Sequence, residues 1–184
     1  MKLLFSYLAI VLVFCSCEND MSAVRAFDKS KLGVEQAYDI ETIMSQTAHV
    51  KGILTSPYME RHMATPPYTE FTQGLKVVFY SDSLTITSVL TAKYGKLMDG
   101  ENDVYLRDSV VFLDLQKLQR LDCKDLRWDA KKAMFVTERF CRVSTPLDTI
   151  YSVGLDANQD MSVINFHDVN GVISPRDSMM GLEN

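Results

Sequence analysis

The sequence predicts an all-β, antiparallel fold, and three observations carry that prediction. From Tyr38 onward the chain consists of short runs rich in β-branched and aromatic residues, several of them alternating apolar with polar. Brief polar connections, MDGEND, QKLQ, DAKK and TPLD, join these runs. No helical stripe lies between them, so the crossover helices that parallel strands need are missing.

The first residues are read separately. MKLLFSYLAIVLVF places one Lys (Lys2) before an apolar run from Leu3 to Phe14. That run is shorter than the roughly 20 residues a membrane-spanning helix requires, and it has the layout of a secretory signal peptide. It ends in Phe14-Cys15-Ser16-Cys17, which resembles the lipobox of bacterial lipoproteins. Cleavage after Ser16 would leave Cys17 as an acylated N-terminus, a lipid anchor holding the chain to a membrane. The expected organisation is therefore a lipoprotein signal peptide over 1–16, an acylated N-terminus and tether over 17–36, a β domain over 37–170, and a flexible tail over 171–184. The mature part is long enough to bury a core of its own.

Within the domain, 32–46 reads as a first strand rather than a helix, because Tyr38, Ile40 and Thr42 alternate. Ala64-Thr65-Pro66-Pro67 interrupts the ladder and predicts a loop, since Pro donates no backbone hydrogen bond. LKVVFY (75–80) and LTITSVLTAKYG (84–95) are strands around the turn Ser81-Asp82-Ser83. Further strands follow at 104–115, 121–128, 134–144 and 149–155. A faint repeat links LTAKYG at 90, LDCKDL at 121 and SVGLDAN at 152, as expected of a rolled sheet of similar modules.

Alternation also assigns faces. Leu75, Val77 and Phe79 share one face, and Ile86, Leu90, Ala92 and Tyr94 form the matching face of the next strand. Leu121 and Cys123 fall out of phase with Leu126 and Trp128, which a bulge at Lys124-Asp125 corrects. A second bulge at Arg107-Asp108-Ser109 is expected to join Val104 and Leu106 to Val111 and Leu113. The result is a continuous apolar stripe, and composition leaves two readings of it open. It is either the closed core of a two-sheet sandwich or a groove completed by a ligand.

Charge and motifs narrow the function. The net charge is −5 with no basic run, so nucleic acid is not an expected partner. His49, His62 and His167 stand apart, without metal-ligand spacing, and no nucleophile elbow or phosphate loop is present. The acid pair Glu101/Asp103 sits in a turn-like stretch, where carboxylates are ordinarily solvated. The chain is expected to be no enzyme, with no catalytic residues, no cofactor and no metal. Cys123 and Cys141 are expected to be free: pairing 121–128 with 134–144 around DAKK places Cys141 opposite residue 119 or 120. That puts Cys123 about 10 Å away, beyond disulfide reach.

Two segments then carry a resemblance. EFTQGLKVVFYSDSLTITSVLTAKYGKLMDGENDVYLRDSVVFL (70–113) and LDCKDLRWDAKKAMFVTERFCRVSTPLDTIYSVGLDANQDMS (121–162) resemble the LptC family, the periplasmic bridge component of lipopolysaccharide export. LTAKYG and LDANQD are the most specific matches. The chain departs from the family pattern at Thr72-Gln73 in place of Pro-Lys, Asp108-Ser109 in place of Gly-Asn, Cys123 in place of Thr and Ser152 in place of Gly. Losing Gly at 108 and 152 matters because Gly alone adopts positive φ freely.

The resemblance implies an antiparallel β-jellyroll folded like a taco (a β-taco) with an open apolar groove. Leu75, Val77, Phe79, Ile86, Leu90, Ala92, Tyr94, Val104, Leu106, Leu121, Leu126 and Trp128 are the candidates to line that groove. Its implied partners are lipopolysaccharide, an inner-membrane ABC transporter complex for it, and an LptA-like periplasmic jellyroll protein stacked edge to edge. The implied location is the periplasmic face of the inner membrane. Glu18-Asn19-Asp20 after the anchor fits an inner-membrane retention cue, but also the surface-export signals of some bacteria. The competing reading is a structural or adhesive envelope lipoprotein with a closed sandwich and no lipid ligand.

Overall fold

A computed structural model describes residues 33–169, so the predicted signal peptide, Cys17, most of the tether and the tail lie outside the described residues. The described residues hold eleven strands and no helix: β1 (Val34–Gln46), β2 (His49–His62), β3 (Tyr68–Phe71), β4 (Leu75–Tyr80), β5 (Ile86–Ala92), β6 (Tyr94–Met98), β7 (Val104–Asp114), β8 (Gln119–Asp129), β9 (Met134–Ser144), β10 (Thr149–Asn158) and β11 (Ile164–Val169). All pair antiparallel in one sheet, consistent with the predicted all-β jellyroll class.

The pairing reduces to a meander of long strands, each bent near its middle. β3 and β4 continue one another across Thr72–Gly74, and β5 and β6 across Lys93. Phe71 faces Gly95 and Leu75 faces Ala92 on the same pair of neighbours. β2 spans both halves, pairing with β3 through Glu60–His62 and with β4 through Gly52–Thr55. β7 likewise takes β6 with its first half and β5 with its second. The run 84–95, expected as one strand, is thus two.

The bends fall in a row across the sheet. Following the registers outward from Gly74 leads to Lys93, then Asp108-Ser109, Lys124–Leu126, Glu138-Arg139 and Gly154. On the other side it leads to Pro57 and Asp39. Register shifts mark the row between Arg107 and Val110, between Cys123 and Arg127, and between Val153 and Leu155. Asp39, Gly74, Asp108, Ser109 and Gly154 on it all have positive φ, from 48° to 91°. Extra residues and left-handed backbone both bend a strand and break its ladder. Aligned across neighbours, they fold the whole sheet along one line. Asp108 and Ser109, which stand where the family pattern has Gly-Asn, take the left-handed conformation at φ 58° and 55°. The repeat at 90, 121 and 152 marks the same bend in alternate strands of the meander.

The bend encloses one apolar core. Leu106, Val110, Phe112, Leu121, Leu126 and Leu155 are all at most 2% exposed. Phe112 joins Phe79 and Phe135 at centroid distances of 6.2 and 6.0 Å, and Phe135 meets Trp128 at 4.9 Å. These contacts interlock side chains from β4, β7, β8 and β9.

Several expectations are corrected. The bulge in β7 is present but keeps the phase: Val110 and Phe112 turn inward with Leu106 while Val111 and Leu113 are half-exposed, because two residues rather than one are extruded. Cys123 lies directly opposite Cys141. The turn sits one residue later than expected, and the β8–β9 bulge adds the rest of the offset. Both thiols are free and buried, but distance does not separate them. Asp103 is not solvated either: it is 7% exposed. It accepts the Ala130 amide at 3.0 Å and lies 3.6 Å from Arg127, so it pins the β8–β9 turn to β7. Strands β3 and β11 and most of β2 went unforeseen, whereas β1 falls within the first strand expected over 32–46.

Candidate functional site

The inner face of the bent sheet is built from alternating positions, with the phase restored after each bend. Of the twelve candidates, Leu75, Val77, Leu90, Ala92, Leu106, Leu121 and Leu126 are buried in the shared core. Phe79, Val104 and Trp128 pack against it half-buried. Two do not join them. Ile86 is 43% exposed at the first residue of β5, beyond a register shift opposite Tyr80.

Tyr94 faces outward. A Cβ placed on its neighbour Gly95 would lie 2.5 Å from Leu75 Cδ2, so Gly95 is the inward residue and the bend at Lys93 has reversed the phase. The Tyr94 hydroxyl donates to Glu70 at 2.7 Å, and its ring lies under the Arg107 guanidinium. Burial and that hydrogen bond push the Tyr94 hydroxyl up to about 12.

Sequence reasoning missed inward residues on other strands: Phe71, Val110, Phe112, Phe135, Val143 and Leu155. Alternation of Phe135, Thr137, Cys141 and Val143 carried the signal in β9, since all four keep one phase across the bend at Glu138-Arg139. Phe71 sits in a four-residue strand, too short for a period to show.

The apolar inner face continues toward both ends of the sheet. Ile40, Leu54 and Met59 on β1 and β2, and Ile164 and Phe166 on β11, are partly buried against the core. Neither end is closed: β1 pairs with β2 alone and β11 with β10 alone. Each leaves one backbone edge free among the described residues. Where the bend reaches β1 and β2, a cleft of about 860 Å³ opens between Asp39, Ile40, Ser56, Gly74, Leu75 and Lys93. Its lining mixes polar groups with Leu75 of the core and Ile40 packed against it. Across the core itself the side chains interlock, and the described face is apolar and continuous but filled.

Among the described residues of the inner face, no nucleophile lies beside a base. Burial pushes the Cys123 thiol up to about 12 and the Cys141 thiol upward as well, which disfavours the thiolate.

A search of curated proteins finds no match to the chain. A protein-family model described as lipopolysaccharide-assembly, LptC-related, matches residues 36–174, most of the chain and nearly all of the bent sheet.

Proposed function

The chain belongs to the LptC-related family of lipopolysaccharide assembly, and from that premise we propose that it is a non-enzymatic lipid-transfer component. In this reading it receives lipopolysaccharide from an inner-membrane ABC transporter and passes it along the inner face of its folded sheet to the next jellyroll of a periplasmic bridge. The family's role is in lipopolysaccharide transport, as a periplasmic bridge component associated with the inner membrane, and it is not an enzyme family. Acylation of Cys17 would tether the domain beside the transporter.

One observation carries the reading: an apolar face that runs to two unclosed edges of a single bent sheet. A lipid with several acyl chains pays about 0.8 kcal/mol for each CH₂ left in water, tens of kcal/mol in all. A sheet folded along a line shields the tails by hinging at that line and opening opposite it, while its free side leaves the sugar headgroup in solvent. The filled interior is then the resting state, and acyl chains replace contacts that the two halves otherwise make with each other. The free edges of β1 and β11 suit docking by strand addition to like domains.

Photo-crosslinking in cells tests this. A crosslinker at Phe79 or Trp128, both half-buried on the inner face, should yield lipopolysaccharide adducts, and at outward Lys76 or Lys93 it should not. Adducts confined to the outward positions would remove the groove. The interlocked core also fits a second reading, a structural envelope lipoprotein with no lipid ligand. Depletion of the protein separates the two: lipopolysaccharide accumulating at the inner membrane supports transfer, and an unchanged outer membrane supports the structural role.

A further inference from the structure

His62 was expected to be a lone surface histidine, yet the fold sets it between two carboxylates on the outer face of the sheet. Glu60 and His62 are two apart on β2 and so point to the same side. Register places Glu60 directly opposite Glu70 on β3. Two like charges at directly opposed positions repel, and here nothing splays them apart. Both are instead held in place from behind.

Glu60 Oε1 accepts from the Tyr58 hydroxyl and from Gln36 Nε2, and Glu70 Oε1 accepts from the Tyr94 hydroxyl at 2.7 Å. The other oxygen of each turns toward one atom: Oε2 of Glu60 and of Glu70 lie 3.5 and 3.8 Å from His62 Nε2. That nitrogen is buried and has no hydrogen-bond partner. Both separations exceed the 2.7–3.2 Å of an N–H···O bond. The imidazole ring stacks on Tyr68 at a centroid distance of 4.5 Å. Lys96 is the nearest cation, but it lies 3.6 Å from Glu70 Oε1 and 3.5 Å above the Tyr68 ring, on the outer-shell oxygen rather than between the acids.

We propose that Glu60 Oε2, Glu70 Oε2 and His62 Nε2 form a binding site for a first-row divalent cation such as Zn²⁺. All three ligand atoms lie within 4.8 Å of one another. Tetrahedral bonds of about 2.0–2.1 Å separate neighbouring ligand atoms by roughly 3.3 Å, so small rotations bring the set onto one ion. Each carboxylate already has the outer hydrogen bond that orients a metal ligand. The three side chains are between a fifth and a quarter exposed, leaving a fourth position for water. Such an ion cancels the cross-strand repulsion, occupies the orphaned nitrogen and clamps β3 to β2 where β3 bridges toward β6.

Calorimetric titration of the full chain in detergent, stripped with chelator, against ZnCl₂ tests the site. One equivalent should bind and raise the thermal midpoint. H62Q should abolish both effects while keeping the metal-free midpoint and circular dichroism of the parent. Y94F, which touches only the outer oxygen of Glu70, should weaken binding by about 10- to 100-fold. H167Q, at the separate His167–Asp156 pair, should bind as the parent does. No binding by the parent, undiminished binding by a folded H62Q, or loss of binding in H167Q would overturn the assignment.

Discussion

Replacing Gly154 with Ala probes whether the row of bends is what shapes the sheet. Gly154 sits on that row in β10 with φ +91°, and a Cβ there would lie 2.6 Å from His167 Nδ1 and 3.1 Å from its Cγ. Two costs follow. An L-residue in the left-handed region costs about 1–2 kcal/mol. The His167 ring must also swing off β11, giving up its 3.1 Å hydrogen bond to Asp156, worth about 0.5–1.5 kcal/mol. The expected loss is therefore about 2–3 kcal/mol. Urea unfolding measures it, and amide exchange should show β11, which pairs only with β10, losing protection first. Gly100 supplies the control: a Cβ there meets nothing within 4 Å and no left-handed φ is involved, so G100A should be neutral or slightly stabilising. The double variant G154A/H167A should recover the steric part and leave the backbone part. If G154A and G100A unfold alike, the bends do not depend on left-handed backbone and the account of the folded sheet is wrong.

Further outcomes are expected. Phe112→Ala removes the ring between Phe79 and Phe135 and should cost about 3–5 kcal/mol in urea unfolding, whereas L118A at an exposed turn should stay within about 0.5 kcal/mol; equal effects would refute the assigned core. The raised Cys123 thiol favours the neutral form in the folded state, so its stabilisation is complete below the unfolded value of about 8.5 and is lost as pH rises toward about 12. The stability gap between the parent and C123A should therefore narrow by about 1–2 kcal/mol between pH 7 and pH 10, and an unchanged gap would deny the burial. Asp122 behaves oppositely, because hydrogen bonds from Arg120, then Arg142, hold its carboxyl below the usual range. Its contribution is present above about pH 4 and lost as pH falls further, so D122N should cost about 1 kcal/mol at pH 7 and converge with the parent in acid; a cost that persists at pH 2 would point to packing instead.

Strand identity was legible wherever a run of five or more residues alternated: β4, β7, β8, β9 and β10 follow directly from their β-branched and aromatic content. Family membership was legible too, through LTAKYG, which spans the bend at Lys93, and LDANQD, which follows the bend at Gly154. Side-chain direction was legible only up to the first bend in each strand. A one-residue slip reverses every face beyond it, which is why Tyr94 turns outward, whereas the two-residue bulge in β7 keeps the phase, so that Val110 and Phe112, not Val111 and Leu113, fill the core. The bulge at Lys124-Asp125 was readable because Leu121, Cys123, Leu126 and Trp128 have no other way to share a face. The one at Glu138-Arg139 was not, since Phe135, Thr137, Cys141 and Val143 keep one phase across it and alternation shows no break there.

By itself, then, the sequence determined the antiparallel all-β class, the main strands and the family, because these rest on local alternation and short motifs that neighbouring residues carry together. Tertiary structure alone decided the alignment of the bends into one fold line, the pairing of Cys123 with Cys141, and the meeting of Glu60, His62 and Glu70. Each of those depends on register between strands, and register accumulates every turn and bulge before it, so an offset invisible in any one segment decides which side chains meet.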